Sequence, residues 1–241
     1  MPFYDFYLNR PAGKLAVFQE KYLLPNLLKN ANIREGSKVL EIGVGRGALA
    51  GFVKNLGADY TGIEANEILC EHLNEHGIKC LTATVPPFPS ELEKGSFDLV
   101  IMCHIFEHFK DWQEALKVLG EIRTLLKSGN SELSNTESSG RLLLFHPDFL
   151  DWGADYFDGD YSHSLILTRN RIDNLVQDSG FTIIHRDGFR SFFHRIKPLT
   201  WILARLMNCI FGALLAITGN RKFFKPKIAF KLNLLTICEK K

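Results

Sequence analysis

Short β-branched apolar runs alternate along this chain with segments whose apolar residues recur every three or four positions. This alternation constrains the fold more than any other feature, because the two periods belong to strands and helices. Short connections between the segments favour a mostly parallel sheet with helices on both faces. The predicted strands lie within residues 38–47, 59–66, 78–83, 97–103, 141–147, 181–189 and 232–240, and the predicted helices within 11–31, 66–76, 111–127 and 168–180.

The chain divides into three segments by composition. Of its 241 residues, 46% are hydrophobic and 23% charged, which is ordinary for a globular protein. We predict a helical N-terminal cap over 1–35, a core over 36–190 that is completed by 231–241, and a basic, apolar helical insertion over 191–230. The polar, low-complexity stretch 128–140 predicts a surface loop within the core.

The cysteines and the N-terminus indicate the compartment. Five cysteines are scattered along the chain with no C-x-x-C spacing, which argues against a zinc ribbon or a disulfide framework. Their distribution favours a reducing environment. The first residues, MPFYDFYLNRPAGK, lack a basic segment followed by an apolar run, so we expect no secretory signal and a cytoplasmic location.

A glycine-rich turn follows the first predicted strand, in the sequence EIGVGRG from Glu41 to Gly47. Glycine allows the backbone to turn sharply and to approach a ligand with no side chain between them. The spacing is G-x-G-x-G rather than the G-x-G-x-x-G expected for a dinucleotide pyrophosphate. Glu64 ends the second strand, 21 residues after Gly43, where a carboxylate can accept both hydroxyls of a ribose.

Several motifs occur in the order that is typical of the class I S-adenosylmethionine-dependent methyltransferases. VLEIGVGRG resembles the first motif of that family, YTGIEAN its ribose-binding strand, and GSFDLVIMCHIFEHF its fourth strand and the following turn. LLKSGN…GRLLLFHP resembles its helix, turn and fifth strand, and HSLILTRNRIDNLVQDSGF resembles its recurring pattern of a histidine, a helix and Gly-Phe before the sixth strand. The resemblance spans roughly residues 36–190 and the final strand, and it is greatest to the small-molecule branch that includes ubiquinone and menaquinone biosynthesis enzymes.

The resemblance implies a fold and a cofactor. The implied fold is α/β, with a Rossmann-like seven-stranded, mostly parallel sheet flanked by helices and an apolar helical insertion before the last strand. The implied cofactor is S-adenosylmethionine. By resemblance, Gly43, Gly45 and Gly47 pack against the methionine part of this cofactor, Glu41 lies near its amino end, and Glu64 holds its ribose.

Three further cofactor-binding candidates lie at or just after the ends of the second, third and fourth predicted strands. They are Ala65, Thr84 and Cys103. Family members often have an acid after the third strand that contacts the adenine amine, whereas this chain has Ala-Thr-Val there, so Thr84 or a backbone group would take that place.

The sequence from His104 to His108 has the H-x-x-E-H spacing of some zinc peptidases. Such a site needs both histidines on one face of a helix, but here the motif directly follows a predicted buried strand. In the methyltransferases that this chain resembles, a Glu-His pair after the fourth strand lies at the mouth of the site. We predict His108 as base or substrate-orienting group, with His104 and His163 as alternatives.

Each of these histidines could instead make a structural hydrogen bond. Glu107 and His108 could also hold a metal, as the equivalent pair does in some quinone-type relatives, but we assign no metal ligands. Methyl transfer to a hydroxyl calls for a base with a pKa near neutrality, which suits histidine. The segment 148–164 should wall the acceptor pocket with Trp152, Tyr156 and Tyr161, or else pack these aromatic rings inward.

Residues 199–218 are long and apolar enough to suggest a membrane helix. A single crossing is unfavourable because the strands on either side should belong to one sheet, and because Arg205 lies within the stretch. From Arg190 to Lys241 there are eleven Lys and Arg residues and one acid, a net charge of +10. The stretch is therefore predicted to be a lid or a helix at an anionic membrane surface, or to be buried on the domain or in a dimer.

These features predict an S-adenosylmethionine-dependent methyltransferase that acts on a small-molecule acceptor, at oxygen. One alternative is a lipid or glycan-lipid acceptor, with peripheral attachment to a membrane. The other is a catalytically silent methyltransferase-like binding module. A nucleic-acid partner is not expected, because the basic tail is too apolar to follow a phosphate backbone. The sequence leaves the oligomeric state open.

Overall fold

The computed structural model describes residues 23–129, 139–190 and 197–241. The first part of the helix predicted at 11–31 lies outside these residues, and its end is helical over 23–28. Most of the polar loop predicted at 128–140 also lies outside them. The boundaries of the cap, the core and the insertion stay predictions.

The described residues contain one seven-stranded sheet, in the order β3-β2-β1-β4-β5-β7-β6. Strands β1 to β5 run parallel to one another, and β7 is inserted antiparallel between β5 and β6. This arrangement confirms the predicted mostly parallel, Rossmann-like sheet. The strands are β1 (Lys38–Ile42), β2 (Asp59–Glu64), β3 (Cys80–Thr82), β4 (Leu99–Cys103), β5 (Arg141–Pro147), β6 (Phe181–Arg190) and β7 (Leu232–Lys240).

Helices connect most of these strands, as the alternating pattern predicts. They are α1 (Ala48–Asn55), α2 (Glu67–Glu75), α3 (Trp112–Leu125), α4 (Phe149–Trp152), α5 (Asp155–Gly159), α6 (Arg169–Asp178), α7 (Lys197–Thr218) and α8 (Phe224–Ile228), with 3-10 turns at Phe106–His108 and Arg221–Phe223. The apolar helical insertion before the last strand is confirmed by α7 and α8.

Four of the described helices begin at a polar side chain that caps their first turn. Asn66 accepts a hydrogen bond from the backbone of α2, Asp111 from α3, Asp148 from α4 and Thr168 from α6. Such caps satisfy backbone N–H groups that have no partner within the helix. The prediction that α6 begins at Thr168 is therefore confirmed. The caps also determine the residues at which the preceding loops end.

The sheet has an apolar core on each face. Alternate residues of β1 supply both cores, with Leu40 and Ile42 on the face covered by α3 and α6, and Val39 on the face covered by α1 and α2. A parallel sheet that is buried on both faces requires strands that are apolar almost throughout. This requirement explains the nearly continuous apolar runs in the sequence, and it leaves the loops at the strand ends to carry the polar groups.

Candidate active site

The predicted site residues come together at the carboxyl ends of β1 to β5. The chain order of the strands reverses between β1 and β4, which lie side by side. A crevice forms at such a switch point because the loops on either side lead to opposite faces of the sheet. The glycine turn after β1, Glu64 at the end of β2 and the histidine motif after β4 all border this position.

The three glycines of the turn have different neighbours, although all three have positive φ angles: 78° at Gly43, 56° at Gly45 and 77° at Gly47. A Cβ atom at Gly43 would overlap the Ile105 side chain, and one at Gly47 would lie 2.6 Å from Leu73 Cδ2. At Gly45, no atom of the described residues lies within 4 Å of such a Cβ. Gly45 therefore faces open space that a ligand can fill, whereas the other two glycines are required by protein packing.

Glu64 is held at the rim of this space by two backbone hydrogen bonds. Gly45 N donates to Glu64 Oε2 at 2.8 Å, and Asn66 N donates to Glu64 Oε1 at 3.0 Å. A carboxylate has about four lone-pair sites, so each oxygen can accept a further hydrogen bond. The carboxylate is thus oriented in advance and retains the capacity to accept from two ribose hydroxyls.

These features fit the S-adenosylmethionine that the sequence implies. An open glycine faces the crevice, and the oriented carboxylate of Glu64 lies beside it. Ala65 and Thr84 are exposed just beyond β2 and β3, and Cys103 is partly exposed at the end of β4. The site therefore has small or uncharged residues where an adenine ring and a methionine chain need room.

Glu41 lies in the protein interior near the carboxyl end of β1. Its side chain is buried, and Tyr60 Oη donates to Glu41 Oε2 at 2.6 Å. Burial raises the pKa of Glu41 to about 8, although the Tyr60 hydrogen bond lowers it and the nearby Glu64 adds to the rise. Glu41 is therefore neutral near pH 7 and lies within the protein, and its place near the amino end of the cofactor stays a prediction.

The H-x-x-E-H motif forms a 3-10 turn after β4 rather than part of an α-helix. His104 begins the turn with a φ angle of 55°, a left-handed conformation that is uncommon for a residue with a side chain. This conformation brings His104 Nδ1 to 3.1 Å from Glu107 Oε1. The turn is not the geometry of a zinc-peptidase helix, which agrees with the exclusion of that class.

Glu107 is fully buried beneath this turn. Burial raises its pKa, but the hydrogen bond and the charge of His104 outweigh burial and hold the pKa below its ordinary value. Its other oxygen, Oε2, has no hydrogen-bond partner among the described residues. Glu107 is therefore a buried anion next to the histidines, and its Oε2 can still accept a hydrogen bond or bind a cation.

His108 is connected to the loop after β5 by a chain of hydrogen bonds. His108 Nδ1 lies 2.8 Å from Ser162 Oγ, and Ser162 Oγ donates to Asp160 Oδ1 at 2.6 Å. Since the Ser162 hydroxyl proton points to the carboxylate, Ser162 Oγ accepts a hydrogen bond from the protonated Nδ1 of His108. This orientation leaves Nε2 of the neutral ring with a free lone pair.

His163 lies against His108, with ring centroids 4.9 Å apart. Its Nδ1 lies 2.6 Å from the carbonyl oxygen of Tyr156, which can only accept, so Nδ1 carries the proton. Ligand atoms of Glu107, His108 and His163 all lie within 4.8 Å of one another, which is close enough to hold a cation. The structure thus brings together two of the three predicted histidines, while His104 stands on the far side of Glu107.

Two of the aromatic residues of 148–164, Trp152 and Tyr156, make hydrogen bonds within the protein. Tyr156 is fully buried, and its hydroxyl donates to the Leu165 carbonyl at 2.5 Å. Trp152 Nε1 donates to the Leu232 carbonyl at 2.9 Å. Tyr161 is exposed. Inward packing, one of the two predicted alternatives, therefore holds for Tyr156.

Two residues at this site were missed by the sequence analysis: Asp160 and Ser162. They lie in the stretch DGDYSHS, whose dense polar composition is the one signal that could have drawn attention to them.

His146, at the end of β5, faces the interior instead. Burial lowers its pKa to about 4, and its Nδ1 is within 3.0 Å of the Pro147 carbonyl.

Comparison with known proteins connects this geometry to a family. The family model for a methyltransferase domain matches residues 15–186, more than two thirds of the chain. A ubiquinone biosynthesis O-methyltransferase of Roseobacter denitrificans is 24% identical over 176 residues, which cover 69% of this chain and 66% of that protein. An (S)-coclaurine N-methyltransferase of Papaver somniferum is 29% identical over 108 residues, which cover 41% of this chain and 30% of that protein.

A solved structure shows the same fold over nearly the whole chain. A SAM-dependent methyltransferase from Archaeoglobus fulgidus superposes with a TM-score of 0.61 at 16% identity, covering 95% of this chain and 100% of that one. The described strands and helices account for this similarity. The chain belongs to the methyltransferase domain family, with the class I fold and with S-adenosylmethionine as its cofactor.

Proposed function

We propose that this protein transfers a methyl group to a hydroxyl of a small-molecule acceptor, with His108 as the general base. The observation that carries the proposal is the hydrogen-bond chain from His108 through Ser162 to Asp160. It orients a half-buried imidazole at the rim of the cofactor crevice and leaves Nε2 able to accept a proton. Methyl transfer to oxygen produces one proton that must be removed, so this group matches the reaction.

The protonation state of His108 suits a base. Burial lowers its pKa below the ordinary value of 6.5, and the neighbouring His163 and His104 act in the same direction. The carboxylates of Glu107 and Asp160 oppose this shift. His108 is therefore neutral at pH 7, and its Nε2 can accept the hydroxyl proton as the acceptor oxygen forms its bond to carbon.

The cofactor supplies the methyl group on a positively charged sulfur, and loss of the methyl leaves a neutral thioether. Gly45 and Glu64 would hold it, by close backbone approach and through the ribose hydroxyls. Ala65, Thr84 and Cys103 would border its adenine and methionine parts. The role of the protein is then to align the acceptor with the methyl group, and such alignment supplies much of the acceleration in group transfer.

The choice of oxygen rests on two supports. An amine acceptor that binds in its neutral form needs no proton removed before attack, whereas a phenol or alcohol gains from a neutral histidine within reach. The relative matched over the larger part of this chain is named as an O-methyltransferase of ubiquinone biosynthesis. His104 and His163 are the alternatives to His108 as the base.

Two measurements test the proposal in sequence. Titration calorimetry with S-adenosylmethionine should show binding that is lost in Glu64→Gln and retained in Glu67→Gln, an exposed change one turn away. Incubation with cofactor labelled on the methyl group and a panel of phenols and catechols should transfer label to at least one acceptor. His108→Ala should reduce that rate by roughly 100-fold or more.

The outcomes separate the candidate functions. Binding without transfer to any acceptor would favour the catalytically silent module. Transfer that His108→Ala leaves unchanged would show that His108 is not the base and would direct the same test to His163 and His104. Transfer to lipid extracts but not to soluble phenols would favour the lipid or glycan-lipid acceptor.

A further inference from the structure

Helix α7 is apolar apart from a few residues such as Arg205 and Asn208, but it is scarcely covered by the rest of the protein. Within Pro198–Thr218, the most apolar 18-residue stretch has a mean hydropathy of 1.7 and 6% of it is buried, so by length and composition the helix could cross a membrane. A helix that is apolar all round belongs in an apolar environment. Ala204 is buried and Phe211 stacks on Phe230, whereas another side of α7 lacks cover among the described residues.

The uncovered residues form one continuous stripe. They recur three, four, seven, eleven and eighteen positions after Leu199, which is the spacing of a single helical face. The exposed fraction reaches 69% at Ile202 and 82% at Ile217. The stripe consists of Leu199, Ile202, Leu203, Leu206, Ile210 and Ile217.

The topology of the sheet prevents α7 from crossing a bilayer. Strands β6 and β7 pair along their length, with Arg190 opposite Leu232, so the chain must leave and re-enter the sheet at the same end. A helix of 22 residues spans about 33 Å. If α7 crossed, residues 219–231 would have to return through the membrane with five Lys and Arg side chains. The helix can therefore lie along a membrane surface but not through it.

The charge around the stripe indicates what covers it. Residues 197–231 contain seven Lys and Arg residues and no acid. Lys222 and Lys225 are exposed just after α7, and no carboxylate of the described residues is paired with either. Arg205, beside the stripe, is 72% exposed and lies 3.7 Å from Asp151 Oδ1. Exposed cations that flank an apolar helical face match anionic headgroups above an acyl layer, whereas a second copy of this face would bring like charges together.

We propose that α7 docks in the plane of an anionic phospholipid bilayer, with its stripe among the acyl chains and its cations at the headgroups. Helix α7 and the segment after it are connected to the acceptor side of the site by ion pairs. Arg205 of α7 lies 3.7 Å from Asp151 Oδ1, and Asp155 is paired with Lys227 of α8 at 2.7 Å and with Lys231 at 3.3 Å.

The partners of these cations, Asp151 and Asp155, lie in α4 and α5, in the segment that continues to Ser162 and His163. Docking of α7 would therefore hold the acceptor side of the crevice near the bilayer, where an acceptor of lipid character could enter. The docking itself does not rest on the methyl transfer proposed above, because the stripe, the topology and the charges stand without it.

Vesicle flotation with the full chain tests the inference. The protein should float with vesicles of phosphatidylcholine and phosphatidylglycerol and should remain at the bottom with phosphatidylcholine alone. Ile202→Asn and Ile210→Asn, combined, should weaken binding by about tenfold or more, because each removes apolar carbons from the acyl layer. Lys222→Gln combined with Lys225→Gln should weaken binding at low salt and make the remaining binding less sensitive to salt, because two of the charges that salt screens are absent.

The matched control is Ile68→Asn, an equally exposed isoleucine on α2 that should bind vesicles as the unaltered protein does. Failure of the unaltered protein to float with anionic vesicles would overturn the proposal. The proposal would also be overturned if the unaltered protein formed a dimer, Ile210→Asn separated it, and neither protein bound vesicles. That result would show that the stripe contacts a second copy of the chain. Resistance to alkaline carbonate extraction would instead indicate a spanning helix and would also contradict docking in the plane.

Discussion

His108 Nδ1 and Ser162 Oγ lie 2.8 Å apart across 54 residues of sequence, and this contact orients the imidazole at the mouth of the crevice. It connects the turn after β4 to the loop after β5, two strands that are parallel neighbours in the sheet. The contact is therefore a consequence of strand order, and it determines which nitrogen of His108 is free to accept a proton.

Ser162→Ala should slow methyl transfer, because the ring of His108 loses the acceptor that holds its Nδ1 proton in place. We expect a loss smaller than the roughly 100-fold expected for removal of the base itself. Affinity for S-adenosylmethionine should not change, which calorimetry can check. The control is Ser164→Ala, a nearby serine whose hydroxyl bonds only the Ser162 carbonyl at 3.3 Å among the contacts described. Equal rate losses in the two variants would argue against a specific orienting role.

Asp160→Asn should move the acid limb of the pH–rate profile to lower pH. Burial holds the pKa of His108 below 6.5, and the Asp160 carboxylate raises it in part by favouring the cationic ring. Removal of that charge lowers the pKa further, so a larger fraction of His108 stays neutral as the pH falls. The profile of transfer rate between pH 5 and 8 checks this, and a shift to higher pH would contradict the assignment of His108 as base.

Gly45→Ala and Gly43→Ala should both impair the protein, the first mainly in cofactor binding and the second mainly in stability. Both place a Cβ at a positive φ angle, which costs about 1–2 kcal/mol of stability. At Gly45 the added methyl enters open space at the crevice. The affinity for S-adenosylmethionine should therefore fall strongly, whereas stability should fall only by the cost of the positive φ angle. At Gly43 it meets Ile105, so stability should fall further, and the second change Ile105→Ala should recover part of that loss. Thermal melts and calorimetry on the same samples separate the two effects.

Glu41→Gln should change how stability depends on pH. In the folded protein Glu41 keeps its proton up to about pH 8, whereas in the unfolded chain it releases it near 4.5. The folded state therefore binds more protons between these values, and stability falls as the pH rises through this window. The total effect is on the order of a few kcal/mol. Denaturant melts from pH 5 to 8 should show a flatter profile for the variant, and parallel profiles would contradict the buried, neutral state of Glu41.

The sequence by itself determined the elements and the cofactor side of the site. Period-two apolar runs and capped helical segments depend on near neighbours in the chain, so strands such as β1 and helices such as α6 could be located before the structure was known. The sequence predicts that Gly45 and Glu64 lie close together. The carboxyl ends of neighbouring parallel strands lie side by side, so the turn after β1 adjoins the end of β2. The exclusion of a zinc-peptidase helix also followed from local context, since the motif continues a buried strand.

The tertiary structure alone decided which side chains meet. Glu41 has the spacing of a cofactor ligand, yet its position on β1 directs it to Tyr60 inside the sheet. Tyr156 could have lined the pocket, but its hydroxyl is satisfied by a carbonyl in the interior. The pairing of His108 with Ser162 depends on the path of a long loop, which no local periodicity encodes. Contacts between distant residues are set by strand order and by the burial of polar groups, and both are properties of the folded chain as a whole.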